Sequence, residues 1–280
     1  MTPSPPTRRY AVIGHPVAHS RSPEIHAAFA RQTGRAIDYR RVLAPLDAFA
    51  ATVAAFVADD GGGFNVTVPF KLEAFALCGD RVTERARRAG AVNCVRCDGD
   101  ALHGDNTDGI GLVVDLQRLA ADGGFALRGA RLLLLGAGGA ARGVLGPLLD
   151  LAPTEIVIAN RDAARALALV AAFASPALAA RPFDALEGPF DVVINATSVG
   201  LGDASLPLPA RLFRDVRLAY DLMYAADATP FLRAARDGGA AMVADGLGML
   251  VEQAAESFTI WQGVRPETAP VRALLRAPSR

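Results

Sequence analysis

The sequence has little of what marks a nucleic-acid-binding or membrane protein. Its 280 residues carry 29 Lys and Arg against 29 Asp and Glu, a formal net charge of zero with no block of like charge. A nucleic-acid footprint needs a basic excess, so that class is excluded. Long apolar runs are missing too. A spanning helix takes about 18 or more consecutive apolar residues, and the longest tracts here are broken by Gly136, Gly138, Gly139, Arg142 and Pro147. The first residues hold Pro3, Pro5, Pro6 and Arg8-Arg9. The apolar stretch behind them is cut at once by Gly14, His15 and Pro16, which leaves no h-region of a signal peptide. Cysteine is scarce: Cys78, Cys94 and Cys97 are a small and odd set, against a disulfide framework and for a reducing compartment. Cys94-x-x-Cys97, with His103 six positions on, falls short of the four ligands of a closed zinc site, so no metal is expected. These absences predict a soluble, cytoplasmic protein with no nucleic-acid or membrane partner; the expected partner is a small molecule, and the expected state, which composition does not reveal, is monomer or homodimer.

What is present is core-forming material. Hydrophobic residues make up 51% of the chain, and at about 150 residues per domain the length corresponds to about two domains. From Arg131 onward the pattern alternates strand and helix through glycine-rich turns, which reads as a parallel sheet with crossover helices. Strands are predicted at Arg131–Leu135, Glu155–Ala159, Asp191–Ile194, Leu218–Asp221 and Ala241–Ala244. Ahead of them a smaller α/β segment has apolar runs at Tyr10–Gly14, Tyr39–Leu43 and Phe64–Val68, separated by helical patterns at Pro23–Thr33 and Leu46–Asp59. A final helical pattern, Gly248–Gly263, is apolar at Met249, Leu250, Ala254, Phe258 and Trp261 and is expected to return to the first domain. The expected fold class is α/β with two domains. Residues 1–107 form an α/β domain with a mostly parallel sheet, completed by C-terminal helices from about 248 to 280, and residues 108–247 form a Rossmann-like, doubly wound dinucleotide-binding domain.

The sharpest local signal is Leu132-Leu133-Leu134-Leu135 running through Gly136-Ala137-Gly138-Gly139-Ala140 into an Ala-rich helix. Glycines let backbone approach a pyrophosphate, and the helix N-terminus offers free N–H groups and the positive end of its dipole. The third glycine of the usual fingerprint is Ala141 here. A cofactor is chosen at the end of the next strand, where an acidic residue binds a ribose 2′-OH and an Arg accommodates a 2′-phosphate. The chain reads Asn160-Arg161-Asp162 with Arg165 four residues after Arg161, so two guanidiniums are expected to converge on one dianion. Asp162 either repels that phosphate or caps the following helix. NADP is favoured, with NAD the alternative.

A second constellation lies in the smaller segment. Period-two alternation over Phe64-Asn65-Val66-Thr67-Val68 sets Asn65 and Thr67 on one face, Pro69 stops the strand, and Lys71 opens a helix. An amide, a hydroxyl and an ammonium at one strand end suit a polyhydroxylated ligand, or equally a solvated face. Thr107 or Asp108 reads as an N-cap of the next helix, unless Asp108 meets Lys71 to form the pair that moves and orients a hydroxyl proton. Ser22 followed by Pro23 is a good N-cap with proline at N1, while Ser20 has no such structural explanation. Asn93 falls in an expected short strand, Gly90–Cys94, and Gln253 on the apolar face of the last helix; both amides require partners.

In order along the chain, these residues resemble the shikimate dehydrogenase family. The resemblance is carried by Gly14-His15-Pro16 with His19-Ser20-Arg21-Ser22-Pro23, by Asn65-Val66-Thr67-Val68-Pro69-Phe70-Lys71, by Gly90-Ala91-Val92-Asn93 and by Gly104-Asp105-Asn106-Thr107-Asp108-Gly109. It continues through Gly136–Ala140, Asn195-Ala196-Thr197-Ser198, Tyr220-Asp221-Leu222-Met223-Tyr224 and Asp245-Gly246-Leu247-Gly248, and covers nearly the whole chain. It implies NADPH-dependent reduction of 3-dehydroshikimate to shikimate, a step toward chorismate and the aromatic amino acids, in a cleft between two α/β domains. By the family's pattern Ser20, Ser22, Asn65, Thr67, Asn93, Asp108, Tyr224 and Gln253 would hold substrate. Lys71 and Asp108 would be the proton-transfer pair, with Leu222 and Gly246 beside the nicotinamide. Which member of the pair carries the proton is open, since desolvation favours a neutral amine and a neighbouring carboxylate a charged one. Three positions depart from the family: Asp162 stands where a Thr or Ser is usual, the loop after Tyr224 lacks a common proline, and Cys94 replaces a Thr. The rivals are an NAD-preferring quinate/shikimate dehydrogenase of quinate breakdown, which Asp162 favours, and a non-catalytic metabolite sensor, which Lys71 and Asp108 oppose.

Overall fold

The computed structural model describes residues 8–197 and 206–277. Pro3, Pro5, Pro6 and Ser198 lie outside the described residues. The chain divides into two compact units, one built from the chain up to Gly111 together with Val251 onward, the other from Leu112–Leu250.

In the first unit the order is β1 (Arg8–Gly14), α1 (Ser22–Thr33), β2 (Ile37–Leu43), α2 (Phe49–Ala58), β3 (Gly61–Val66), α3 (Lys71–Cys78), α4 (Glu84–Ala89), β4 (Cys94–Asp98) and β5 (Ala101–Asp105). The sheet order is β2-β1-β3-β4-β5, with β1 parallel to both neighbours and the β4–β5 hairpin added antiparallel to β3. β1 and β3 are buried along most of their length, and β1 reads as an apolar run from Tyr10. Their core includes Ile13, Phe64 and Val66, with Phe49 stacked on Phe70 at 4.7 Å between ring centroids. β3 spans Gly61–Val66 instead of Phe64–Val68: three glycines that carry no apolar signal open it, and Thr67 turns away, its carbonyl accepting from Phe70 N at 3.1 Å. Asn65 and Thr67 therefore do not share a strand face.

In the second unit α5 (Asp108–Asp122), which begins in the first, leads to β6 (Arg131–Leu135), α6 (Gly139–Asp150), β7 (Glu155–Ala159), α7 (Ala163–Phe173), β8 (Leu178–Arg181), β9 (Val192–Asn195), β10 (Leu218–Asp221), α8 (Pro230–Asp237) and β11 (Val243–Asp245). All pairings are parallel in the order β11-β10-β9-β6-β7-β8. The order reverses between β6 and β9, the place where doubly wound sheets bind ligands. Alternation along β6 builds both layers, Leu132 and Leu134 facing one core and Leu133 and Leu135 the other. α9 (Leu247–Gln262) then carries the chain back into the first unit, where Trp261 Nε1 donates to Val95 O at 3.0 Å, and α10 (Ala269–Arg276) follows.

Candidate active site

In the first unit Lys71, the first residue of α3, donates from Nζ to Asp108 Oδ2 at 2.5 Å. Their side chains are 29% and 15% exposed, accessible enough to meet a ligand and sheltered enough to hold one geometry. Asp108 is the first residue of α5, and its other oxygen accepts from Asn93 Nδ2 at 2.7 Å. Neither Thr107 nor Asp108 serves simply as a cap. The first N–H groups are taken by other side chains: Thr107 N donates to Asn93 Oδ1 at 2.7 Å and Asp108 N to Asn106 Oδ1 at 3.2 Å. The Thr107 hydroxyl is spent on Asn93, on Gln253 Oε1 at 3.3 Å and on Ser257 Oγ at 3.3 Å.

Asn93 lies in the loop before β4 and not in a strand from Gly90. Its carbonyl accepts from Val66 N at 2.8 Å and its N–H donates to Asp105 O at 3.0 Å, so the backbone is satisfied while the amide is aimed at Asp108. Asn65 is buried, with Oδ1 accepting from Tyr39 Oη at 2.8 Å and Nδ2 donating to Asn93 O at 3.1 Å and Ser257 Oγ at 2.9 Å. Both its donors are used within the protein. Asp105 anchors the turn that carries Thr107 and Asp108, accepting from Arg85 at 2.6 and 2.8 Å, Thr83 Oγ1 at 2.6 Å and Asn106 N at 2.7 Å.

Arg21, not Ser22, stands at the cap of α1, and makes no side-chain cap bond. Ser20 supplies the missing acceptor: Ser22 N donates to Ser20 Oγ at 3.3 Å, and the two hydroxyls are 3.2 Å apart. So Ser20 has a structural role after all, and the pair presents two hydroxyls together. Thr67 sits partly exposed just past β3. Tyr224 lies on the loop after β10 in the second unit, partly buried. The three cysteines are buried free thiols, and burial pushes Cys78 up to about 11 and Cys97 up to about 12. Sequence patterning missed Ser257 and Tyr39; the signal for Ser257 was a second polar residue one turn beyond Gln253 on an apolar helix face, whereas Tyr39 gave none.

In the second unit Gly136 has φ +106°, and a Cβ there would stand 3.0 Å from Ala196 O, so only glycine fits the turn. Gly138 caps α6 with no side-chain bond, and in front of Gly138 and Gly139 the space is open. Helix N–H groups with no side-chain cap, flanked by Ala137 and Ala140, fit a pyrophosphate. Past β7, Asn160 Nδ2 donates to Asp162 O at 2.9 Å, and Asp162 caps α7, accepting from Ala164 N at 3.0 Å. Asp162 also lies 3.4 Å from Arg165 Nε. α7 begins at Ala163, so Arg161 stands just outside it, exposed, and Arg165 lies in its first turn. At the end of β10, Asp221 accepts from Asn195 Nδ2 at 3.1 Å, Thr229 Oγ1 at 2.6 Å and Met223 N at 3.1 Å, while burial raises its carboxyl above the ordinary value. This fixes Leu222. Gly246 N donates to Met223 O at 3.0 Å, and a Cβ on Gly246 would fall 2.1 Å from Leu222 O.

Hydride transfer to or from an alcohol calls for a dinucleotide cradle and for a group that manages the hydroxyl proton. The uncapped glycine turn before α6 and the Lys71–Asp108 pair fit those two requirements, and the class they point to is a nucleotide-linked dehydrogenase of a small hydroxylated substrate. Residues 12–95 match the shikimate dehydrogenase substrate binding domain, residues 118–200 the shikimate / quinate 5-dehydrogenase family, and residues 246–276 the shikimate 5′-dehydrogenase C-terminal domain. The shikimate dehydrogenase (NADP(+)) of Methylobacillus flagellatus is 59% identical over 273 residues, spanning 96% of this chain and 99% of the relative. Among solved structures, an Ael1 enzyme from Pseudomonas putida superposes with a TM-score of 0.91 at 48% identity, covering 97% of this chain and 99% of that one. The Thermus thermophilus shikimate 5-dehydrogenase in complex with NADP(H) and shikimate gives 0.85 at 38%, covering 96% and 99%. The chain belongs to the shikimate dehydrogenase family.

Proposed function

We propose that this chain catalyses the reversible NADPH-dependent reduction of 3-dehydroshikimate to shikimate, in the cytoplasm, on the route to chorismate and the aromatic amino acids. The observation that carries the reading is the Lys71–Asp108 pair at 2.5 Å, with Asn93 fixing the second carboxylate oxygen. In the reductive direction the ring carbonyl oxygen becomes a hydroxyl and needs one proton. Lys71 and Asp108 stand as donor and orienting partner for it, and the pair's contact keeps the donor in one place before substrate arrives. NADPH supplies the hydride when bound. Ser20 and Ser22, as adjacent hydroxyls, hold the substrate carboxylate. Thr67, Asn93, Gln253 and Tyr224 hold ring hydroxyls, and Asn65 has one lone pair on Oδ1 left for that task.

Gly136–Ala140 take the pyrophosphate at the uncapped start of α6, and Leu222 and Gly246 border the nicotinamide. The acidic residue after β7 does not argue for NAD, because its carboxylate is engaged by Ala164 N and Arg165. Arg161, with no ion pair among the described residues, is the guanidinium left for a 2′-phosphate. The relatives named shikimate dehydrogenase (NADP(+)) support the same cofactor. Initial rates with shikimate and quinate, each with NADP and NAD, test the reading. We expect turnover of shikimate with NADP, lost by at least about a thousandfold in Lys71→Ala with substrate binding retained. NAD-linked turnover of quinate, or none of either substrate, would overturn it.

A further inference from the structure

We infer that Tyr39 is a positioning residue for the Lys71–Asp108 pair, acting through Asn65 and Asn93. The inference rests on the reading above, in which that pair performs the proton transfer, and adds to it a residue that touches neither substrate nor cofactor. Tyr39 lies midway along β2, its ring stacked on His26 with centroids 4.2 Å apart and planes 8° apart. The stack directs Oη at Asn65 Oδ1, to which it donates at 2.8 Å. Asn93 O can only accept, so Nδ2 of Asn65 must face it, and Oδ1 is left to the Tyr39 hydroxyl, which holds that end of the amide in place.

The acceptor-only carbonyl and carboxylate oxygens give the rest of the chain one sense. Asn65 Nδ2 donates to Asn93 O at 3.1 Å and to Ser257 Oγ at 2.9 Å. Asn93, held by its carbonyl, turns its own Nδ2 to Asp108 Oδ1 at 2.7 Å, and Asp108 Oδ2 accepts from Lys71 Nζ at 2.5 Å. Four successive hydrogen bonds run from a phenol to the ammonium group, each with a single donor, so the position of the carboxylate is set by a residue two amides away. Buried polar chains of this kind rigidify what they end on, and a catalytic group moved by a fraction of an ångström loses rate more than affinity.

Tyr39→Phe tests this, since it keeps the ring and its stack on His26 and removes Oη alone. The readouts are kcat and KM for shikimate, the primary isotope effect on kcat with shikimate deuterated at the carbon that gives up hydride, and the unfolding midpoint. We expect kcat to fall about tenfold, KM to stay within about twofold, and the isotope effect to rise above that of the wild type. Ser257→Ala, which frees the other Asn65 donor, gives the same split with a smaller loss and carries the test if Tyr39→Phe does not fold. Kinetic constants within twofold of wild type in both variants, while Lys71→Ala and Asp108→Asn are inactive, overturn this inference and leave the catalytic reading standing. A rise in KM at unchanged kcat overturns it too, because Tyr39 would then act on substrate binding. Wild-type turnover by Lys71→Ala and Asp108→Asn brings down the catalytic reading and this inference with it.

Discussion

His26 is fully buried among Tyr39, Phe29, Phe258 and Trp261, and neither ring nitrogen has a hydrogen-bond partner among the described residues. Burial pushes its imidazole from the ordinary 6.5 down to about 3. Above pH 6.5 the folded and unfolded chains both hold it neutral. Below that, the unfolded chain binds a proton that the folded one refuses, so the unfolding free energy declines as pH falls from about 6.5 toward 3, by at most about 1.4 kcal/mol per unit from this residue. His26→Phe removes two orphaned nitrogens and should raise stability at neutral pH by about 1–3 kcal/mol and flatten that decline, read by urea unfolding at a series of pH values. A steeper decline in the variant would contradict it. Arg161 is the other residue whose surroundings speak for it. Arg161→Ala should raise KM for NADP by about tenfold or more and leave NAD nearly unaffected, since the proposed contact to the 2′-phosphate is absent with NAD. Equal losses with both cofactors would mean that Arg161 does not see the 2′-phosphate.

At the scale of elements, the strands of the second unit follow their patterns closely. β6, β7 and β10 fall on the predicted residues, because uniformly apolar runs bounded by turn residues have few alternatives. β9 and β11 shift by one or two residues, to Val192–Asn195 and Val243–Asp245. β8, Leu178–Arg181, had no legible signal, since Leu-Ala-Ala-Arg is poor in β-branched and aromatic residues and becomes a strand only by pairing with β7. The β4–β5 hairpin was equally silent; its turn residue Gly99 has φ +57°, and the partner strands alternate too weakly to be read. The contact between β10 and β11 gives an element-scale prediction. In Gly246→Ala the new Cβ would meet Leu222 O at 2.1 Å, so the two strand ends must part. We expect a loss of about 1–3 kcal/mol in stability and weaker nucleotide binding by about tenfold, from thermal unfolding and cofactor titration. An unshifted nucleotide affinity would separate Leu222 from the cofactor site.

For the molecule as a whole, the first unit depends on a C-terminal segment distant in sequence. Asp105, Arg85, Glu256, Arg265, Glu252 and Arg272 form a connected chain of ion pairs across β5, α4, α9 and α10. Glu252 is 4% exposed between two guanidiniums, so Glu252→Ala strands charge that was compensated, and should lower stability by about 2–3 kcal/mol, toward the low end for a buried pair because Arg265 is 43% exposed. Chemical denaturation measures it, and a change below about half a kcal/mol would show the network to be a solvated surface feature. The boundary between the two units falls inside α5 and inside α9, so both helices carry chain from one unit to the other. Among the described residues no helix is long and apolar enough to cross a membrane.

Local chemistry was legible in the linear order of residues: glycines where the chain turns tightly from strand into helix, apolar runs where a parallel strand is buried on both faces, a lysine at the start of a helix and a carboxylate at the start of another. Period and turn chemistry act over a few residues, which is why they can be read without a fold. Only the tertiary structure decided that Lys71 meets Asp108, 37 positions away, that Asp162 caps α7 and engages Arg165, and that Tyr39, Asn65, Asn93 and Ser257 join one hydrogen-bonded chain. Those pairings span up to 192 positions, and a hydrogen bond is fixed by ångström-scale geometry that sequence separation does not encode.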